Sequence, residues 1–246
     1  MTDAFVYGLH AVRALINNPS RTIKSLWIQA GSTEQKLATL TQDARKRDIS
    51  VQVVPQQKLT QKFGEIVHQG IVAEVSPLKP LQESDLPTLL NNLTTPAFLL
   101  ILDGITDPHN LGACIRSADA AGVHAIIIPK DKSVGLTATV SKVACGAMES
   151  VPVVTVTNLS RTLSLLQKEG IWIYGAAGES DKTIWNIDFK GPIALVLGAE
   201  GTGLRRLTRE HCDTLFSLPM LGQVESLNVS VATGISLFEV VRQRNP

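Results

Sequence analysis

Between residues 98 and 197 the sequence repeats one pattern, a short and nearly continuous apolar run followed by a polar or helical stretch. The runs are Phe98 to Leu102, Ala125 to Ile128, Val151 to Val156, Ile171 to Ala176 and Ile193 to Leu197. A strand with one wet face alternates apolar and polar residues, whereas a strand that is apolar at nearly every position is buried on both faces. Helices on both sides of a sheet provide that cover, and strand-helix-strand crossovers make the sheet parallel. The expected class is α/β. Ligands of such sheets bind beyond the carboxyl ends of the strands, so polar residues at those ends are where function is sought.

The amino-terminal third has a different rhythm. Leu9 to Ile16 has helical apolar spacing and stops at Asn17-Asn18-Pro19. Ser25 to Ile28 follows as a strand, the charged periodic run Glu34 to Arg47 as a helix, and Val51 to Val54 as another strand. Gly70 to Val75 closes a small α/β unit, and Ser76-Pro77-Leu78-Lys79-Pro80 is too rich in proline for regular structure. The expected organisation is an amino-terminal domain over 1–75, a linker over 76–84 and a second domain over 85–246. A chain of 246 residues, 44% of them hydrophobic, suffices for one or two cores.

No stretch approaches the roughly 18 apolar residues needed to span a bilayer, and the first residues, with Asp3, His10 and Arg13, do not read as a signal peptide. A cytosolic protein is expected. Cys114, Cys145 and Cys212 are widely separated and form no Cys-x-x-Cys pair, so they suggest small buried core thiols rather than disulfides or zinc ligands. The five histidines lack metal-site spacing, and no metal is expected. A net charge of +1 is silent on a polyanionic partner, because attraction to phosphates depends on local clustering.

Three segments carry polar residues at expected strand ends. After Leu102 comes Asp103-Gly104-Ile105-Thr106-Asp107-Pro108-His109-Asn110-Leu111-Gly112, leading into a helix through Arg116. Asp107 and Pro108 read as a cap and a first helical residue. Asn110 and Arg116 stand about 120° apart around the helix axis, as solvated polar residues or as two groups reaching one cleft. After Leu197 comes Gly198-Ala199-Glu200-Gly201-Thr202-Gly203-Leu204. Its glycines fit either a tight turn or close approach to a ligand, and their spacing matches neither a Walker loop nor the dinucleotide fingerprint. Arg205, Arg206 and Arg209 follow, as a phosphate-binding patch or a solvated face. The third segment runs from Leu218-Pro219-Met220 to Ser226-Leu227-Asn228, where Ser226 or Asn228 could cap the helix beginning near Val229.

Together these segments resemble the three signature motifs of the SpoU/TrmH family of RNA 2'-O-ribose methyltransferases, within the knotted SPOUT superfamily. Asp103, Asn110-Leu111-Gly112 and Arg116 resemble the first, Leu195 to Leu204 the second, and Leu218-Pro219-Met220 with Ser226 to Ala232 the third. Tyr7 to Val12 and His68-Gln69-Gly70-Ile71 look like the family's amino-terminal substrate-binding domain, so the resemblance covers nearly the whole chain.

The resemblance implies a SPOUT-type catalytic domain with a deep trefoil knot, a homodimer, and S-adenosylmethionine as cofactor. It implies cofactor binding around Leu197, Gly198, Gly203, Leu218, Met220 and Leu227, and a catalytic cleft of Asn110, Arg116, Glu200, Ser226 and Asn228. In that cleft Arg116 would contact the ribose hydroxyl and an adjacent phosphate while Glu200 orients it, with the base either Glu200 or Arg116 relaying onward to phosphate. The implied substrate is ribosomal RNA, with a guanosine of 23S rRNA as target. Two other readings compete. A dinucleotide-dependent oxidoreductase would open its fold with the glycine loop, yet only 43 residues follow Gly203. A non-catalytic RNA-binding or ribosome-assembly protein would have no need of the full polar set.

Overall fold

The computed structural model describes residues 4–18, 21–31, 35–76 and 80–245. They divide into two compact units, one of residues 1–79 together with 136–150, the other of 80–135 together with 151–246.

The first unit contains β1 (Ala4–Tyr7), α1 (Leu9–Asn17), β2 (Ile23–Gln29), α2 (Gln35–Lys46), β3 (Val51–Val54), α3 (Gln56–Phe63) and β4 (Ile71–Val75). Its sheet has the order β1-β4-β2-β3, with β4 antiparallel to both neighbours and β2 parallel to β3. The amphipathic helices α1 and α2 bury Val12, Leu15, Leu37 and Leu40 against Leu26, Ile28, Ile71 and Ala73. A second cluster holds Tyr7, Trp27 and Val72 with Leu59 and Phe63 of α3. The sequence reading did not expect α3, which buries only Leu59 and Phe63 and so offers a single i, i+4 pair as its signal. Glu34 and Pro19, at the edges of two expected elements, lie outside the described residues.

The chain continues through β5 (Leu81–Gln82), α4 (Leu86–Asn91), β6 (Phe98–Asp103), α5 (Pro108–Ala120), β7 (Ala125–Pro129) and α6 (Ala138–Val143). It ends with β8 (Val153–Val156), α7 (Leu159–Lys168), β9 (Trp172–Ala176), β10 (Ile193–Gly198), α8 (Arg206–Glu210), β11 (Thr214–Phe216) and α9 (Val229–Arg244). The second unit's sheet runs β11-β9-β10-β6-β7-β8-β5, and each adjacent pair is parallel. All six residues of β6 are buried, which requires cover on both faces, as the apolar runs predicted. Leu99, Ile101, Ile127 and Val196 pack with Leu163 and Leu166 of α7, while α9 packs on α5 and β10. Cys114 is buried, as expected of a core thiol, but Cys145 and Cys212 are only half-buried.

Two boundaries differ from the expected organisation. Leu81–Gln82, expected within a linker, is already an edge strand paired with Val154 and Thr155, so the second unit starts at Pro80. Two residues are too few to show a strand period, and residues 77–79 lie outside the described set. Residues 136–150, expected in the second domain, group with the first unit. The reason lies in long-range packing. A Cβ on Gly146 would lie 2.7 Å from that of Ala14, the Arg21 guanidinium meets Glu149 at 2.8 Å, and Asn18 Nδ2 donates to the Glu149 carbonyl at 2.7 Å. Burial pushes the Glu149 carboxyl above its usual range, against the opposing pull of Arg21.

Candidate active site

The site forms where β6 and β10, adjacent strands in the middle of the parallel sheet, reach their carboxyl ends beside the amino terminus of α9. At the first strand, Asp103 is 1% exposed and Gly104 turns the chain at φ +86°. Asp107 then caps α5, its Oδ1 accepting the His109 N–H at 2.9 Å with Pro108 at the first helical position. That accounts for both residues by local structure, and it starts the helix so that Asn110 falls in its first turn. Arg116 is exposed farther along the same helix.

After β10 the chain makes a tight turn. Ala199 and Gly203 pair as an antiparallel bridge, the Gly203 N–H donating to the Ala199 carbonyl at 2.9 Å, with Gly201 at φ +78° and Gly203 at φ +64°. Gly198 is required for a different reason: a Cβ there would lie 2.1 Å from the Gly203 carbonyl carbon. The turn carries Glu200, exposed, to where Asn110 Nδ2 meets its Oε2 at 3.4 Å.

Asn228 closes the arrangement. Its Oδ1 caps α9 by accepting from Ser230 N at 2.9 Å and from Ser230 Oγ at 2.6 Å. The capping oxygen decides which way the amide points, leaving Nδ2 to donate to Asn110 Oδ1 at 3.0 Å. Asn110, its oxygen so engaged, turns its own amide nitrogen to Glu200. One helix cap thereby orients two amides and a carboxylate drawn from three distant segments. The capping reading of Asn228 is thus observed, and the cap leaves its amide nitrogen free to bond Asn110.

These groups stand beside a cavity of about 360 Å³. Leu197, Gly198, Gly203, Leu218, Met220 and Leu227 all line it, with Glu200 and Ser226. The lining also includes Ala176, Ala177, Gly178 and Phe216, which sequence reasoning did not single out; its one available signal was the cluster of small residues ending the run at β9. The lining fits S-adenosylmethionine in kind. Its volume suits a small organic ligand; its glycines and alanines leave backbone N–H and C=O groups accessible; its leucines and Phe216 offer an apolar bed; and Glu200 and Glu225 provide negative charge for a cationic group.

The three arginines after the glycine turn are each engaged by a carboxylate. Arg205 pairs with buried Asp103, Arg206 with Glu210 at 2.5 Å, and Arg209 with Glu179. All three guanidinium side chains stay partly exposed, so both readings, solvated face and phosphate-binding patch, are compatible with these pairs. Among the described residues, no group of three or more His, Cys, Asp or Glu side chains is placed to hold a metal ion, and no helix is long and apolar enough to cross a membrane.

The sequence profile of the SpoU rRNA Methylase family matches residues 97–238, which contain all three polar segments. The chain belongs to this family. A profile described as RNA 2'-O ribose methyltransferase substrate binding matches residues 5–81 of this SpoU methylase. The 23S rRNA (guanosine-2'-O-)-methyltransferase RlmB of Escherichia coli K12 is 56% identical over 240 residues, 98% of each protein. The protein of the same description from Pectobacterium atrosepticum is 55% identical over 239 residues, 97% of this chain and 98% of that one. Among solved structures, the SpoU methyltransferase AviRb from Streptomyces viridochromogenes, in complex with AdoMet, has the same fold. It matches with a TM-score of 0.82 and 24% identity over 98% of this chain and 90% of that one.

Proposed function

We propose that this SpoU methylase transfers a methyl group from S-adenosylmethionine to the ribose 2'-hydroxyl of a guanosine in 23S rRNA. The observation that carries the reading is the bonded chain Asn228–Asn110–Glu200 at the mouth of the 360 Å³ cavity. The names of two relatives, more than half identical over their whole length, supply the target.

S-adenosylmethionine supplies a methyl group already activated by its sulfonium. The protein's task is to hold the hydroxyl in line and remove its proton, because an alcohol is a poor nucleophile at neutral pH. Arg116 grips the ribose and its phosphate as a permanently charged donor. Asn110, itself oriented by Asn228, holds the Glu200 carboxylate, and Ser226 supplies a hydroxyl on the cavity wall. Glu200, an acceptor when ionised, takes the proton directly; the competing route runs through Arg116 to the phosphate.

Two architectural features belong to the same proposal. Ala177 N–H donates to the Phe216 carbonyl at 2.8 Å, Ser217 N–H to the Lys182 carbonyl at 2.8 Å, and Ile184 N–H to the Ser217 carbonyl at 3.0 Å. These bonds bind β11 and the adjoining Ser217 to the loop at 177–184, which supports threading of the carboxyl end into a trefoil knot. Val231 and Phe238 are about half exposed on α9, and Leu221 and Val224 also face solvent, which supports an apolar homodimer contact. The cytoplasm is the compartment this reading implies, and a ribosomal RNA substrate supports it.

The test is methyl incorporation from labelled S-adenosylmethionine into unmodified 23S rRNA, followed by mapping of blocked 2'-hydroxyls. One guanosine is expected to be blocked. Arg116→Ala should abolish transfer while donor affinity stays within about threefold, since the arginine acts on the acceptor side. No incorporation, or label on a base instead of a ribose, would refute the assignment.

A further inference from the structure

The buried carboxylate of Asp103 takes no part in the chemistry above, yet it is the most elaborately satisfied acid near the site. Its Oδ2 accepts the backbone N–H of Arg205 at 3.1 Å, its Oδ1 accepts from Arg205 Nε at 2.5 Å, and a terminal guanidinium nitrogen closes on the same oxygen. The Asp103 side chain has no exposed area, while that of Arg205 is 43% exposed. An ionised carboxylate at this depth is strongly unfavourable without such partners. Asp103 therefore dictates where the backbone at Arg205 lies.

We infer that Asp103 and Arg205 form a latch that positions Glu200 for methyl transfer. Asp103 is the register partner of Gly198 across β6 and β10, so one acidic residue sits beside the start of the glycine turn and grips its end. The stretch from Gly198 to Arg205 is thus pinned at both ends, at the first by sheet register and at the second by the carboxylate. Between them the Gly203-to-Ala199 bond closes the turn on Glu200. With the Arg205 end released, Gly201 and Gly203, both at positive φ, let the turn swing. The 3.4 Å contact between Asn110 and Glu200 is longer than the 3.0 Å bond beside it and is the first to be lost. Asp103 and Arg205 are positioning residues in this scheme; neither touches the reacting atoms.

The inference rests on the methyltransferase reading for its kinetic arm, so the experiment has a second arm that does not. In the full-length protein, hydrogen exchange of residues 199–204 should quicken in Asp103→Asn while exchange in β6 and β10 stays as in wild type. Unchanged exchange in the turn would overturn the latch whether or not the protein methylates RNA. In the kinetic arm, Asp103→Asn should lower kcat by about tenfold or more with the KM for rRNA within about threefold. The double variant with Glu200→Gln should then be no slower than Glu200→Gln alone, because both changes remove the same positioned carboxylate. A full-rate Asp103→Asn enzyme, or losses that multiply in the double variant, would assign Asp103 to general stability and sink the proposal. If Asp103→Asn does not fold, Arg205→Gln and Arg205→Lys open the latch from its exposed end, with the lysine variant restoring part of the rate. Absence of methyl transfer by the wild type, with the exchange result intact, would condemn the functional reading and leave the latch standing.

Discussion

The two ends of α9 use hydrogen bonds for opposite purposes. At the carboxyl end, Arg244 donates to the carbonyls of Phe189, Pro96, Ala97 and Gly191 at 2.6 to 3.2 Å and lies over the Phe98 ring at 5.0 Å. Gln243 adds bonds to Ile187 and Phe189. The carbonyls that Arg244 takes lie just before β6 and in the segment leading into β10, and the guanidinium is held by backbone groups it cannot release without leaving them unpaired. At the amino end, Asn228 uses one atom to cap the helix and turns the other toward Asn110, and that chain ends on an exposed carboxylate. The arginine at the carboxyl end is satisfied by backbone carbonyls, whereas the amino-end network runs from side chain to side chain and stops at a carboxylate beside the cavity.

The largest effect should come from breaking the amino-end geometry without touching a polar group. Gly198→Ala would place a Cβ 2.1 and 2.2 Å from the Gly203 carbonyl carbon and oxygen, backbone atoms with no rotamer to yield. The turn has to move. Methyl transfer is expected to fall by about 100-fold or more, and titration calorimetry should show donor binding weakened as well, because a displacement near 1 Å at a reacting centre has that cost. Turnover near wild type would mean that the position of the glycine turn does not matter.

Next in size, Asn228→Asp separates the two duties of one residue. Aspartate keeps the capping oxygen but has no amide to donate, so Asn110 is invited to flip its amide toward it and present oxygen to Glu200. Helix stability should be retained while kcat drops by about tenfold or more. Asn228→Ala should lose about 1 kcal/mol of stability in addition. Equal stability losses in both variants, read from urea midpoints, would show that the cap and the amide chain are not separable.

The carboxyl end should show the converse. Arg244→Ala removes a charged donor from four carbonyls and is expected to cost about 2 kcal/mol, with kcat for methyl transfer changed by less than about twofold. Loss of activity at full stability would erase the distinction between the ends.

How much of this was legible in the sequence follows from the range of each interaction. The buried strands were readable because full burial leaves an unbroken apolar stretch, and Asp107-Pro108 was readable because a cap and its helix are adjacent. Asn228 was readable only as an alternative to Ser226, since either could cap from its position. The pairing of Arg205 with Asp103 was not readable: 102 residues separate them, and an arginine next to two others looks like a charged surface until its acid is found. The grouping of 136–150 with the amino-terminal unit depends in the same way on Glu149 finding Arg21, 128 residues away. Three-residue β11 and two-residue β5 are below the length at which period shows. The polar segments identified candidates; their order of contact, cap to amide to carboxylate, came from geometry.

The smallest effect expected is one of pH, and it belongs to the stabilising end of α9. His124 Nδ1 accepts the Phe98 N–H at 3.0 Å, which requires a neutral ring, and His68 does the same for Gly70 at 3.0 Å in the other unit. Burial lowers both imidazoles from their ordinary range, and the positive charge of Arg244 pushes His124 further the same way. A base whose folded value is depressed binds its proton better when unfolded. Its contribution to stability is therefore complete above the unfolded value of about 6.5 and declines as pH falls below it. Urea midpoints should be level near neutrality and drop toward pH 5, with a shallower drop in His124→Gln, which has no imidazole to charge. Arg244→Ala should also shallow the slope, since it removes the neighbouring cation, although it lowers the midpoint at every pH. If the midpoint is independent of pH across this window, or if His124→Gln leaves the slope as it was, the ring at the carboxyl end is a passive filler and the network there owes its stability to the arginine alone.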